Sequence, residues 1–62
     1  MTNTERVRER FKRYRKKFNR TLRELAPLVG LALGTLSRFE NGHDIKATTL
    51  DKISEWLTEV RK

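Results

Sequence analysis

Apolar positions along this chain recur at helical spacing, stretch after stretch. Val7, Phe11, Tyr14 and Phe18 lie four, three and four residues apart, which makes one stripe on a first helix over about residues 3 to 18. Thr2 and Glu5 have the spacing of a capping box at its start, and Asn19 suits the left-handed conformation that closes a helix. Thr21 with Glu24 repeats the capping-box spacing and opens a second helix that Gly30 ends. A third helix is expected from about Ala32 to Glu40, stopped by Asn41-Gly42 and followed by a loop from His43 to Ala47. Thr48 with Asp51 reads as the N-cap of a fourth helix. Its stripe is Leu50, Ile53, Leu57 and Val60, with Trp56 beside it. The expected fold is all-α, a compact bundle of four to five helices in a single domain spanning residues 1–62.

Leu22 to Asn41, LRELAPLVGLALGTLSRFEN, has the layout of a helix-turn-helix. Two short helices crossing steeply need a small residue at the point of closest approach, and Ala26 supplies it. Gly30 makes the turn, while Leu25, Val29, Leu31, Leu36 and Phe39 form the inward apolar set. The second of these helices is then left projecting, where it can enter the major groove of a DNA duplex. Two residues break local rules. Pro27 removes the bond to the Arg23 carbonyl, so the second helix is either kinked or irregular at its start. Gly34 weakens the third helix, either as tolerated drift or because a bare backbone lets DNA approach closely.

Charge sharpens this picture. The net charge is +7, and all of the excess falls within residues 1–20, where nine Lys and Arg face two Glu; residues 21–62 are balanced. That asymmetry is either an electrostatic footprint for a polyanion or a solvated helix face, and beside a helix-turn-helix the polyanion is the reading taken. With 62 residues and no cysteine, the chain has one small core and neither a disulfide nor a Cys-based zinc site to staple it. No apolar run approaches the roughly 20 residues of a membrane span, and no signal-peptide core is recognisable. The expected location is cytoplasmic, in a bacterial cell or a phage-infected bacterium. The single His43 has no metal-ligand spacing around it and no glycine-rich phosphate loop is present, so neither enzyme nor cofactor is expected.

From Phe11 to Leu57 the chain resembles the lambda-repressor-like, or XRE/Cro-type, helix-turn-helix family. The residues that carry the likeness are Phe11-Tyr14-Arg15, T-x-x-E-L-A at Thr21 to Ala26, Gly30, T-L-S-R-F-E-N-G at Thr35 to Gly42, and T-L-x-K-I at Thr49 to Ile53. The resemblance implies a third helix that reads the major groove. It also implies a partly buried ion pair between Arg15 and Glu40, with one more phosphate-facing cation as the alternative for Arg15. The chain departs from the family pattern at Leu22, where Gln is usual, and at Ala32, Leu33 and Gly34, where polar base-reading residues are common.

On the third helix the expected outward residues are Leu33, Gly34, Ser37 and Arg38, the candidates for base reading. Arg38 suits a bidentate bond to guanine or, alternatively, a phosphate contact. Leu33 can press on a thymine methyl or simply be an exposed leucine. Phosphate contacts are expected from Arg20, Thr21, Arg23, Thr35, Asn41, His43 and Lys46, with Asn41 alternatively a helix terminator and His43 a solvated loop residue. The partner is double-stranded DNA carrying palindromic or repeated half-sites, read by a weak homodimer that forms mainly on DNA. The family pairs through its C-terminal end, which points to Trp56, Leu57 and Val60 as the interface unless they close the core instead. The leading reading is a small phage or bacterial repressor. Alternatives are an accessory factor of the recombination-directionality type, or an RNA-binding or protein-recruiting module built on the basic first helix. A membrane-surface role for that helix is weaker, since its apolar stripe is expected to be fully used by the core.

Overall fold

The computed structural model describes residues 2–60, folded as α1 (Asn3–Lys17), α2 (Leu22–Val29), α3 (Leu33–Glu40) and α4 (Ala47–Val60). Among the described residues there is no strand, and no helix is long and apolar enough to cross a membrane.

Short-range chemistry sets most helix ends. At the start of α1, Thr2 Oγ1 accepts from the Glu5 N–H at 3.2 Å. Its end is closed by Asn19 at φ 53°, which lets the Arg20 N–H reach the Arg15 carbonyl at 2.9 Å. The same device closes α3: Gly42 sits at φ 90° and the His43 N–H reaches the Arg38 carbonyl at 3.0 Å. In α2 the full capping box forms between Thr21 and Glu24, and Gly30 at φ 85° ends the helix with its N–H on the Ala26 carbonyl at 2.9 Å. Pro27 is accommodated without ending α2, which runs through it from Leu22 to Val29. Arg23, whose carbonyl loses its helical partner to Pro27, is exposed, so water can satisfy that oxygen.

The start of α4 corrects the expected cap. The helix begins at Ala47, where the Lys46 carbonyl accepts from the Leu50 N–H at 3.0 Å, and Thr48 lies within the first turn rather than ahead of it.

All four helices feed one core of Val7, Phe11, Leu25, Ala26, Val29, Leu36, Phe39, Ile53 and Leu57. Tyr14, Leu22, Leu31, Ile45, Leu50 and Trp56 pack around it, half-buried. No polar side chain among the described residues is buried. The five aromatic residues of the chain form one continuous cluster. Phe11 meets Phe39 and Trp56 edge-on at 6.0 and 6.1 Å between centroids, Trp56 meets Tyr14 at 4.9 Å, and Tyr14 meets Phe18 at 4.7 Å.

That cluster reaches the surface. Phe18, expected inside, is 51% exposed, and Val60 at the end of the α4 stripe is also exposed. The apolar stripes therefore run past the core at their C-terminal ends, and the core does not use all of α1.

Candidate nucleic-acid interface

Two cations from α1 fix the end of α3. Arg15 makes a bidentate pair with Glu40, Nε to Oε2 at 2.7 Å and Nη2 to Oε1 at 2.8 Å. About two turns earlier on the same helix face, Arg8 Nε donates to the Phe39 carbonyl at 2.6 Å, with its guanidinium carbon 5.4 Å from the centre of the Phe39 ring. Both positive groups sit at the negative end of the α3 dipole, where a cation is favourable. Arg8 was not among the residues read from the sequence. Its spacing of seven from Arg15 is the signal that places the two on one face.

Held this way, α3 buries Leu36 and Phe39 completely and turns its other side to solvent. Leu33 is 41% exposed, Gly34 and Arg38 are exposed, and Ser37 is half-buried. No carboxylate among the described residues pairs with Arg38. A side chain added at Gly34 would meet no atom within 4 Å, so nothing inside the molecule requires glycine there.

Thr35, Arg38, Asp44, Ile45, Lys46 and Thr49 line one open depression between α3 and the α3–α4 loop. This brings three of the sequence-named residues, Thr35, Arg38 and Lys46, beside one another. Thr49 joins them from α4, although sequence reasoning gave it no contact role. Asn41 and His43 are exposed just beyond α3; Asn41 caps the helix through its backbone N–H on the Ser37 carbonyl at 3.1 Å.

At the other end, α2 begins with its anion-binding capacity partly used. Thr21 Oγ1 accepts from the Glu24 N–H at 3.2 Å and lies 3.2 Å from the Glu24 carboxylate, which also accepts from the Thr21 N–H at 3.2 Å. The Thr21 hydroxyl is thus engaged as the capping group that the Thr21–Glu24 spacing predicts. The Thr21 N–H holds the Glu24 carboxyl below the ordinary carboxylate range, with Arg20 and the Thr21 hydroxyl adding to the effect. Arg20 meets Glu24 at 3.2 Å in a pair exposed on both sides, weak enough to be exchanged for a phosphate. Arg23 is exposed beside it. The N–H groups of Leu22 and Arg23, in the first turn of α2, precede the first residue whose N–H bonds back to Thr21 and are left for an anion.

The expected C-terminal interface divides. Leu57 is 2% exposed and belongs to the monomer's core, so its side chain is not offered to a partner. Trp56 is half-buried against Phe11 and Tyr14, and only Val60 of the three is exposed.

A helix-turn-helix family model matches residues 11–57. The chain belongs to the XRE and lambda-repressor-like helix-turn-helix family. Comparison with curated proteins and with solved structures found no match. The matched span begins at Phe11 in the core of α1 and ends at Leu57 in the core of α4, so it takes in the whole α2–α3 unit and the packing that supports it. The family is one of DNA-binding domains.

Proposed function

We propose that this domain binds double-stranded DNA sequence-specifically, as a small transcriptional repressor of a bacterium or phage, with α3 in the major groove. The observation that carries the reading is the uncovered outer side of α3, supported from behind by Leu36, Phe39 and the two α1 arginines. Leu33, Gly34, Ser37 and Arg38 are the base-reading residues in this scheme, and Arg38 is the one with bidentate capacity. Arg20, Thr21, Arg23, Thr35, Asn41, His43 and Lys46, with the open N–H groups of α2, fix the register on the phosphates. One such module spans few base pairs, so selectivity requires two copies on paired half-sites. The setting proposed is the cytoplasm.

Selection of bound duplexes from a random pool supplies the operator, and two substitutions then separate roles. Arg38→Ala is expected to lose discrimination at one base pair, worth about 1–3 kcal/mol, while Lys46→Ala weakens every sequence alike and lowers the salt slope by about one. Equal losses on operator and random duplex for Arg38→Ala overturn its reading role. Footprints over promoters support repression; footprints over recombination sites replace it with the accessory-factor reading.

A further inference from the structure

The positive charge of α1 is divided between two sides of that helix. Arg8 and Arg15 face α3, as their bonds to Phe39 and Glu40 show. Arg6, Arg10, Arg13 and Lys17 are all exposed and, at about 3.6 residues per turn, point in roughly the opposite direction. They follow an open trough beside α4. Arg10, Arg13 and Lys17 line it with Tyr14, Phe18 and Leu57, and Arg6, Arg10 and Arg13 line its continuation with Val7, Glu9 and Ser54. No residue of α2 or α3 borders either stretch. The α4 side supplies Ser54 and Leu57, so Glu9 is the one acid against four cations. None of the four pairs with a carboxylate among the described residues. Charge of this density away from the recognition helix is an attraction for a second polyanion, distinct from a duplex held at α3.

The trough ends on an aromatic platform. Phe18, half open to solvent, rests against Tyr14 at 4.7 Å between centroids, and Lys17 Nζ stands 5.5 Å from the centre of its ring. The aliphatic floor is already used by the core: Val7 and Leu57 are buried, so the apolar surface left for a ligand lies in the rings of Tyr14 and Phe18. These features choose among polyanions. An acidic peptide matches the charge, but carboxylates have no use for a ring. A duplex matches the charge too, but keeps its base faces stacked inside, where Phe18 cannot reach them. An unpaired strand meets both demands, with phosphates for the arginine forks and a free base for the ring. From Arg6 to Lys17 the stripe runs about 16 Å, room for roughly five nucleotides at the stacked rise of about 3.4 Å.

We propose that the α1 trough is a site for single-stranded nucleic acid, its phosphates held by Arg6, Arg10, Arg13 and Lys17 and one base stacked on Phe18. The site goes beyond the reading of α3 as a duplex reader and does not depend on it. Lys17 yields the ring face to the base and keeps its charge for the adjoining phosphate. Cations and a ring read no base edges, so the site tolerates any sequence. The trough and the outward side of α3 share no residue, so one molecule is able to hold an operator and a strand together.

Anisotropy of a labelled oligothymidylate and a labelled oligouridylate, each about eight nucleotides long, tests the site. Whichever binds the tighter names the sugar of the natural strand. Arg10→Gln with Arg13→Gln is expected to weaken strand binding at least about tenfold and to lower the salt slope by about 0.7 for each cation removed. Phe18→Ala is expected to weaken it roughly five- to 150-fold with the slope unchanged, and Phe18→Trp to restore it. Glu9→Gln, which removes the trough's acid, is expected to tighten it severalfold, a gain that no folding defect imitates. All four sites are exposed, and circular dichroism checks that each variant folds. A random duplex is expected to bind the Phe18→Ala chain as it binds wild type. Losses on random duplex equal to those on the strand make the stripe a general anion surface and overturn the proposal. So does an unaltered strand affinity for Phe18→Ala, or polyglutamate that displaces the strand as well as unlabelled strand does. Saturating operator is expected to leave the strand bound; its displacement places the strand on the α3 face and overturns the trough. If wild type shows no preference for selected duplex, the DNA reading fails while the strand result stands or falls alone.

Discussion

Gly34 is the residue at which the demands of folding and binding separate. It lies in the first turn of α3, exposed, with open space where a Cβ would stand. Folding alone would favour alanine, because glycine in a helix costs up to about 1 kcal/mol. Gly34→Ala is therefore expected to raise stability by somewhat less than that in urea denaturation. A bulkier replacement, Gly34→Gln, is expected to leave stability near wild type and weaken binding to the selected operator. Unchanged operator affinity for Gly34→Gln would return the glycine to tolerated drift. Gly30 and Gly42 differ from it in kind: both hold positive φ at helix ends, where a side chain is strained whatever space surrounds it.

Among the elements, α3 depends on α1 for its position. The Arg15–Glu40 pair is half sheltered, with the carboxylate side chain only 9% exposed, so removing one partner leaves a charge poorly hydrated. Arg15→Ala is expected to cost about 2 kcal/mol, between the ranges for exposed and buried pairs, and to cost less in a chain that already carries Glu40→Ala. A thermal double-mutant cycle measures this; additive losses would mean that the pair contributes nothing of its own. What could be read from the sequence here followed the range of the interaction. Thr21-x-x-Glu24 and Gly30 declare themselves within a few residues, because a cap is satisfied locally. Arg8 does not, since its acceptor is a main-chain carbonyl 31 residues away, which no side-chain identity marks. Thr48-x-x-Asp51 misled for a related reason: the spacing is that of a cap, but the turn is already closed onto the Lys46 carbonyl. Leu57 and Phe18 show the limit of periodicity, which places both on an apolar stripe without telling which end of the stripe outruns the core.

At the scale of the whole molecule, the aromatic cluster ties α1, α3 and α4 together, and the chain's single tryptophan sits within it on the α4 side. Trp56 borders Leu28, Val29, Lys52, Glu55 and Glu59, well apart in the chain from the outward residues of α3. The protein thus carries its own optical probe of tertiary structure. Excited at the indole band, the chain is expected to shift its emission to the red in one sigmoidal step as urea separates Trp56 from Tyr14 and Phe11, and to hold its wavelength when a one-half-site duplex is added. A duplex-induced shift would mean that grasping DNA at α3 disturbs the distant packing. With the wavelength held, fluorescence counts folded molecules while the anisotropy of a labelled duplex counts occupied ones, and a variant that cannot fold is told from one that cannot bind in a single cuvette.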